Sequence, residues 1–437
     1  MDKQWLKIVV LIGLAVGWAA PACAQTRHPA GEHAASREQP SAAAGMTVTL
    51  EQLIQEALEN NPRIQASQSN ANAKRSLILP SQTLPDPMFK FQNMGDLWPP
   101  TLQEGDPSSA RTYGFEQDIP FPGKLGLKGK MAEMEAEAEK WNTEQTRHQV
   151  IADLKSGFYD LYLINKTLTT VEKNKDLLQQ FTRIAEEKYR VGQGIQQDVL
   201  KAHVELSKLI DRQMVLEQRR GSTEAQINSL LYRPPGTPLG RPGEVRKAEL
   251  RYSLEQLQGM AEANFPELKV REREIDRNQY AVALSQKSYY PDFTLGFTYF
   301  ERTVPSMYGY MLNVKVPLYF WRKQRNELES AAFGLESAKK QRENTLATLH
   351  ASLRDTYLVA STSERLVNLY GSSVIPQARL ALESALAGYQ VGRVDFLALI
   401  DSLVTLLDYE LKYYEVLTDF QKALARLEPY VGSELTR

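Results

Sequence analysis

The sequence predicts a mainly α-helical protein with a small β part, built as an internal duplication. Three observations predict it. The phrase YRVGQGIQQDVLKAHVEL, from Tyr189 to Leu206, returns as YQVGRVDFLALIDSLVTL, from Tyr389 to Leu406, with Tyr, Val and Gly each displaced by 200 residues. Before each phrase, apolar residues recur at three and four over a very long stretch, which is helical spacing. Before each long stretch, two short segments alternate apolar and polar residues, the period of strands.

The 437 residues begin with a secretory signal peptide over 1–24. Lys3 and Lys7 precede an apolar run over 8–20, and Ala22-Cys23-Ala24 fits cleavage before Gln25. The alternatives are an uncleaved anchor, for which the apolar run is short, and lipidation of Cys23, the single cysteine. Cleavage after Ala24 leaves no cysteine for a disulfide or a thiolate metal site. No later stretch approaches the ~20 apolar residues of a spanning helix. An exported chain of this kind meets a membrane through strands or lipid. Its net charge of −1 gives no mark of nucleic-acid binding, and its mean hydropathy of −0.41 is too polar for a helical membrane protein.

Residues 25–46 read as a polar, disordered leader. A first repeat is expected over 47–231. Its opening helix, about 50–79, carries Leu53, Ile54, Ala57 and Leu58 at helical spacing, with a break at Pro62. Strands follow at about 86–93 and 111–119, where Phe89, Phe91, Tyr113 and Phe115 alternate with polar residues. Pro122-Gly123 makes a turn into a helix over 124–190, about 100 Å long at 1.5 Å per residue. Gly192 and Gly194 interrupt it, and a helix follows over 197–231.

Residues 232–253 form a Pro/Gly-rich linker. The pattern then repeats over 254–431. A helix over 254–288 has Phe265-Pro266 where the first half has Asn61-Pro62. Strands follow at about 291–300 and 308–317. Pro317 opens the second long helix, which runs to Tyr389 and is followed by a last helix over 396–430. Pro376 lies inside this long helix, where the first half has Asp176, and predicts a kink.

Four strands do not close a barrel, because outer-membrane barrels start at about eight. If the sheet faces lipid, two or more copies must close it, since open edges are not tolerated there. The alternative is a half-buried antiparallel sheet. The long helices read as staves, of either a solid bundle or a hollow cylinder. No nucleotide-binding loop, nucleophile elbow or zinc-protease motif occurs, and the five His are scattered. The chain reads as a non-enzyme.

The duplication, the strand-to-helix junctions IPFPGKLGLKGK and VPLYFWRKQRN, and the two Tyr-x-Val-Gly turns resemble the TolC-type outer-membrane efflux proteins over about residues 47–431. The resemblance implies a homotrimer with a 12-stranded β-barrel in the outer membrane and a periplasmic α-barrel of long helices. It implies an exit duct without cofactor, loaded by a periplasmic adaptor and an inner-membrane pump. The PFPGK and VGRVDFLALIDS segments resemble those of members that work with RND-type pumps, including exporters of heavy-metal cations. Secretion ducts of the same fold, type I or polysaccharide, are alternatives; a periplasmic coiled-coil adaptor is another, from a different class.

In such proteins the two copied phrases are the periplasmic tips. Tyr189, Val191, Gly192, Gly194, Tyr389, Val391 and Gly392 would then carry the adaptor contact. Carboxylates six and nine residues after the second tip glycine ring the closed pore; these positions are Ala398 and Asp401. Asp198 and Tyr389 match residues that link the tips. Where the family has an Arg, this chain has Val394, with Arg393 one residue early. Asp198, Arg393, Asp395 and Asp401 are the gate candidates. The plainer reading of Asp198 and Asp401 is a favourable charge near a helix N-terminus. The helix-start turns at Pro122, Gly123 and Pro317 complete the set of singled-out residues.

Overall fold

The computed structural model describes residues 47–436 except 97, 99, 100 and 246. The expected signal peptide with Cys23 and the leader to residue 46 lie outside the described residues.

Strand β1 is a two-residue piece, Thr47–Val48. Helices α1 (Leu50–Asn60), α2 (Pro62–Ser76) and α3 (Ile78–Gln82) follow. The break falls at Asn61, whose extended backbone (φ −67°, ψ 119°) is what a residue before proline adopts. Its side chain accepts from the Arg63 N–H at 2.9 Å and donates to the Leu230 carbonyl at 2.8 Å. One side chain thus caps the start of one helix and the end of another. In the second half Asn264 donates in the same way to the Val431 carbonyl, at 3.2 Å.

Strands β2 (Met88–Met94) and β3 (Ala110–Ile119) lead into α4 (Lys124–Arg190) and, after the first tip, α5 (Gln196–Leu230). The linker holds β4 (Arg241–Pro242), which pairs in parallel with β1 and ties the first described residues to the middle of the chain. Helices α6 (Leu254–Asn264) and α7 (Pro266–Lys287) again break before a proline. Strands β5 (Asp292–Glu301) and β6 (Met307–Lys315) precede α8 (Lys323–Leu369). Helices α9 (Ile375–Gln390) and α10 (Phe396–Val431) flank the second tip.

The four longer strands form one antiparallel sheet in the order β2-β3-β5-β6, so β2 and β6 are its edges. Its register sorts the side chains. Phe89, Phe115, Phe297 and Tyr310 stand in one row across the sheet, and Phe91, Tyr113, Tyr299 and Tyr308 in the next. Neighbouring rings in the second row lie 5.4, 6.3 and 5.3 Å apart. The opposite face carries Lys90, Gly114, Thr298 and Gly309, then Met88, Glu116, Gly296 and Met311. There Lys90 pairs with Glu116 at 2.6 Å, and Thr294 donates to Asp118 at 2.6 Å. One face is therefore aromatic and the other largely polar. Within the chain the aromatic face is not covered: Phe89 is 69% and Tyr310 85% exposed.

Helix α4 is the spine. It packs on α1–α3, α5, α7 and α10, while α8 packs on α7 and α10. The same core is built twice. Leu53 and Ala57 meet Val150, Leu154 and Ile227 in the first half; Leu257 and Ala261 meet Leu349, Leu353 and Leu427 in the second. All ten are buried, and each large apolar side chain removed from water contributes about 1.5–3 kcal/mol. A third cluster joins the halves near the tips, with Phe181 and Ala185 against Leu382, Leu399 and Leu403.

Two local expectations need correction or sharpening. The two long helices do not start alike. Gly123 takes a left-handed φ of +91° and α4 begins at once; after Pro317, residues 318–322 turn before α8 starts at Lys323. No glycine follows Pro317 to make the tight turn, and Leu318, Tyr319, Phe320 and Trp321 are all exposed there. At Pro376 the chain inserts a π-helical turn, Tyr370–Val374, in which the Ile375 N–H reaches the Tyr370 carbonyl. Proline lacks the N–H that continues an α-helix and its ring crowds the carbonyl four residues back. The wider turn just before it accommodates both.

Candidate functional site

The two tips are the same turn, built by the same backbone bonds. At the first, the Gly192 N–H reaches the Tyr189 carbonyl at 3.0 Å and the Gln193 N–H the Lys188 carbonyl at 2.8 Å. At the second, Gly392 reaches Tyr389 at 3.2 Å and Arg393 reaches Gly388 at 2.9 Å. This double bond pattern closes a helix on a left-handed residue. Gly192 and Gly392 supply it, with φ of +75° and +73°. Nothing lies within 4 Å of where their Cβ atoms would be, so the backbone and not crowding requires glycine.

The side chains then make the tips different. Tyr189 is 49% exposed, whereas Tyr389 is 4% exposed and packs on Phe396 at 5.4 Å between ring centres. Val191 and Val391 both project into solvent. The contact beneath each turn is exchanged between a small and a large residue. A Cβ on Gly194 would come within 3.0 Å of the Tyr189 nitrogen and 3.2 Å of the Lys188 Cβ. At the second tip the glycine is on the helix instead: a Cβ on Gly388 would come within 2.4 Å of Val394. Lys188 with Gly194 is thus replaced, 200 residues on, by Gly388 with Val394. Lys188 uses the space. Its ammonium lies 4.1 Å from the centre of the Tyr389 ring and donates to the Tyr389 backbone carbonyl.

The gate candidates fall into three situations. Asp395 is the N-cap of α10, accepting from the Ala398 N–H at 2.8 Å. Asp198 lies in the first turn of α5, partly buried; its burial and then the nearby Asp395 charge hold its carboxyl above the usual range. Burial and then the Asp198 charge likewise raise the Tyr389 phenol. Charges of both hairpins therefore lie close enough to act on one another near Tyr389. The Tyr389 hydroxyl is buried without a hydrogen-bond partner, so the tyrosine–aspartate link implied by the family pattern is not a hydrogen bond here. Arg393 and Asp401 are exposed and make no ion pair with another described residue. Among the described residues no three His, Cys, Asp or Glu gather where they could hold a metal ion.

Sequence reasoning missed Lys188 and Gly388. The signal was present as a large-to-small exchange at one repeat position. It also missed an ion pair away from the tips. Lys155 on α4 is 2% exposed and holds Glu428 of α10 at 2.7 Å. Glu428 also accepts from the Leu435 and Thr436 N–H groups, at 2.8 and 3.1 Å. Lys155 itself donates to the Thr436 hydroxyl at 2.8 Å.

The chain is thus a duplicated set of long helical hairpins joined to a four-stranded antiparallel sheet with one uncovered aromatic face. No described helix is long and apolar enough to cross a membrane. The chain belongs to the outer membrane efflux protein family, whose pattern it matches twice, over residues 53–231 and 257–433. It is 22% identical over 439 residues to the cobalt-zinc-cadmium resistance protein CzcC of Cupriavidus metallidurans, covering 98% of this chain and 99% of that protein. Its fold is similar to the outer-membrane channel OprN, with a TM-score of 0.74 at 16% identity over 89% of this chain and 91% of that one. It is similar also to VceC of Vibrio cholerae, with a TM-score of 0.75 at 15% identity over 88% and 96% of the two chains. CusC gives a TM-score of 0.74 at 13% identity over 87% and 91%. The protein is an outer membrane efflux channel of the tripartite kind, with a periplasmic helical extension, and a duct rather than an enzyme. Two matching halves with two strands each do not describe an adaptor, and that alternative is set aside.

Proposed function

We propose that three copies of this chain close a 12-stranded barrel and form the exit duct of a heavy-metal efflux pump. The sheet carries this reading: its aromatic face suits lipid, and its edges β2 and β6 need partners. Joining β6 of one copy to β2 of the next is a head-to-tail contact that closes after three rotations. Leu200, Val204, Met214 and Val215, all exposed on α5, suit a neighbouring stave. The linker over 232–253 then lies near the waist of the periplasmic cylinder. A periplasmic adaptor docks on the tips through Val191, Val391 and the exposed Tyr189, with the turns at Gly192, Gly194 and Gly392 setting their positions. An inner-membrane pump of the RND type supplies the cargo, and the duct needs no substrate site of its own.

The tips form the closable mouth of this duct. Asp401 is the pore-ring candidate: three copies on an axis repel and favour bound cations. Asp198, Asp395 and Arg393 are gate candidates around it. Heavy-metal cations are the proposed cargo because the full-length relative is named for cobalt, zinc and cadmium resistance. Cells lacking this protein should lose tolerance to those three cations, and the intact gene should restore it. Unchanged tolerance to all three, measured with the pump expressed, would remove the metal assignment.

A further inference from the structure

We propose that Lys188 is a latch that holds the second tip against the first and keeps the resting mouth narrow. Helices α4 and α9 both end at the tips, so two helix C-termini with their partial negative charge come together there. Asp198 and Asp395 add two carboxylates close enough for one to disturb the other. Lys188 sits on the last turn of α4 and donates to the Tyr389 carbonyl in the last turn of α9. One ammonium thus meets the ends of both helices. It also lies 4.1 Å from the centre of the buried Tyr389 ring, within cation–π range. Among the described residues this is the one side-chain hydrogen bond that joins the two turns. Neither other cation at the turns makes such a link: Arg393 is exposed, and Arg190 pairs with Glu187 of its own helix at 3.0 Å. Lys188 therefore holds together two turns whose like charges would otherwise drive them apart.

Lys188 is a positioning residue, and its role rests on the reading of the tips as a closable mouth. The test is resting ion conductance of the full-length channel in planar bilayers. Lys188→Ala and Lys188→Met, which keeps the chain length without the charge, should each raise conductance about tenfold or more, the factor carried by a charge-assisted hydrogen bond. Lys188→Arg should stay near the unsubstituted channel, because a cation still reaches the carbonyl. Asp401→Ala, run alongside, probes the mouth independently. A rise with Asp401→Ala but none with Lys188→Ala or Lys188→Met overturns the latch and leaves the mouth standing. No rise with any of the three overturns both. A rise with Lys188→Arg equal to that with Lys188→Ala overturns the charge argument.

Discussion

Replacing Lys155 with alanine is expected to cost the folded chain about 3–5 kcal/mol, because one member of a buried ion pair is left without the other. Lys155 is 2% exposed and Glu428 7%, and the two lie 2.7 Å apart. They join α4 of the first half to α10 of the second, so the pair holds the duplicated halves together. Glu428 keeps its bonds to the Leu435 and Thr436 N–H groups in the variant, but those do not neutralise its charge. The apolar pair Lys155→Met with Glu428→Leu should recover only part of the loss, since the buried charges are gone but the Leu435 and Thr436 N–H groups lose their acceptor. Thermal unfolding of the detergent-solubilised full chain reads this directly. A single Lys155→Ala variant as stable as the unsubstituted protein would show that the pair is only a tolerated polar contact.

Phe297→Arg is expected to block assembly in the outer membrane. Phe297 stands in the aromatic row with Phe89, Phe115 and Tyr310. A guanidinium on the lipid side of a barrel costs about 2–4 kcal/mol at mid-membrane, and every copy pays it. The neighbouring Thr298→Arg puts the same charge on the opposite face, beside Gly114 and Gly309, and should assemble normally. The heat-resistant oligomer on a semi-native gel separates the two. Equal assembly of both variants would mean that the aromatic face does not meet lipid.

Much of this fold was legible because its rules are local. Period-two alternation located the strands of the sheet, and the prolines at 62 and 266 located the helix breaks. The tip glycines announced themselves because a left-handed residue closing a helix is nearly always glycine. Partners far apart in sequence were not legible. Lys155 and Glu428 are 273 residues apart, and helical spacing says that a face is buried without saying against what. The same limit hid Lys188, whose partner is a backbone carbonyl 201 residues on. The Pro376 irregularity was visible, but its form, a π turn, depends on how the helix is held by α10 around it. The repeat also misled at one point: it made the two helix starts look alike, when only one has the glycine for a tight turn.

In the proposed assembly, four strands per chain make a channel only when three copies close the barrel. Native mass measurement of the protein extracted from outer membranes tests it most directly. Three chains per particle are expected. A membrane-embedded single chain would contradict it, because β2 and β6 would then present unpaired edges to lipid.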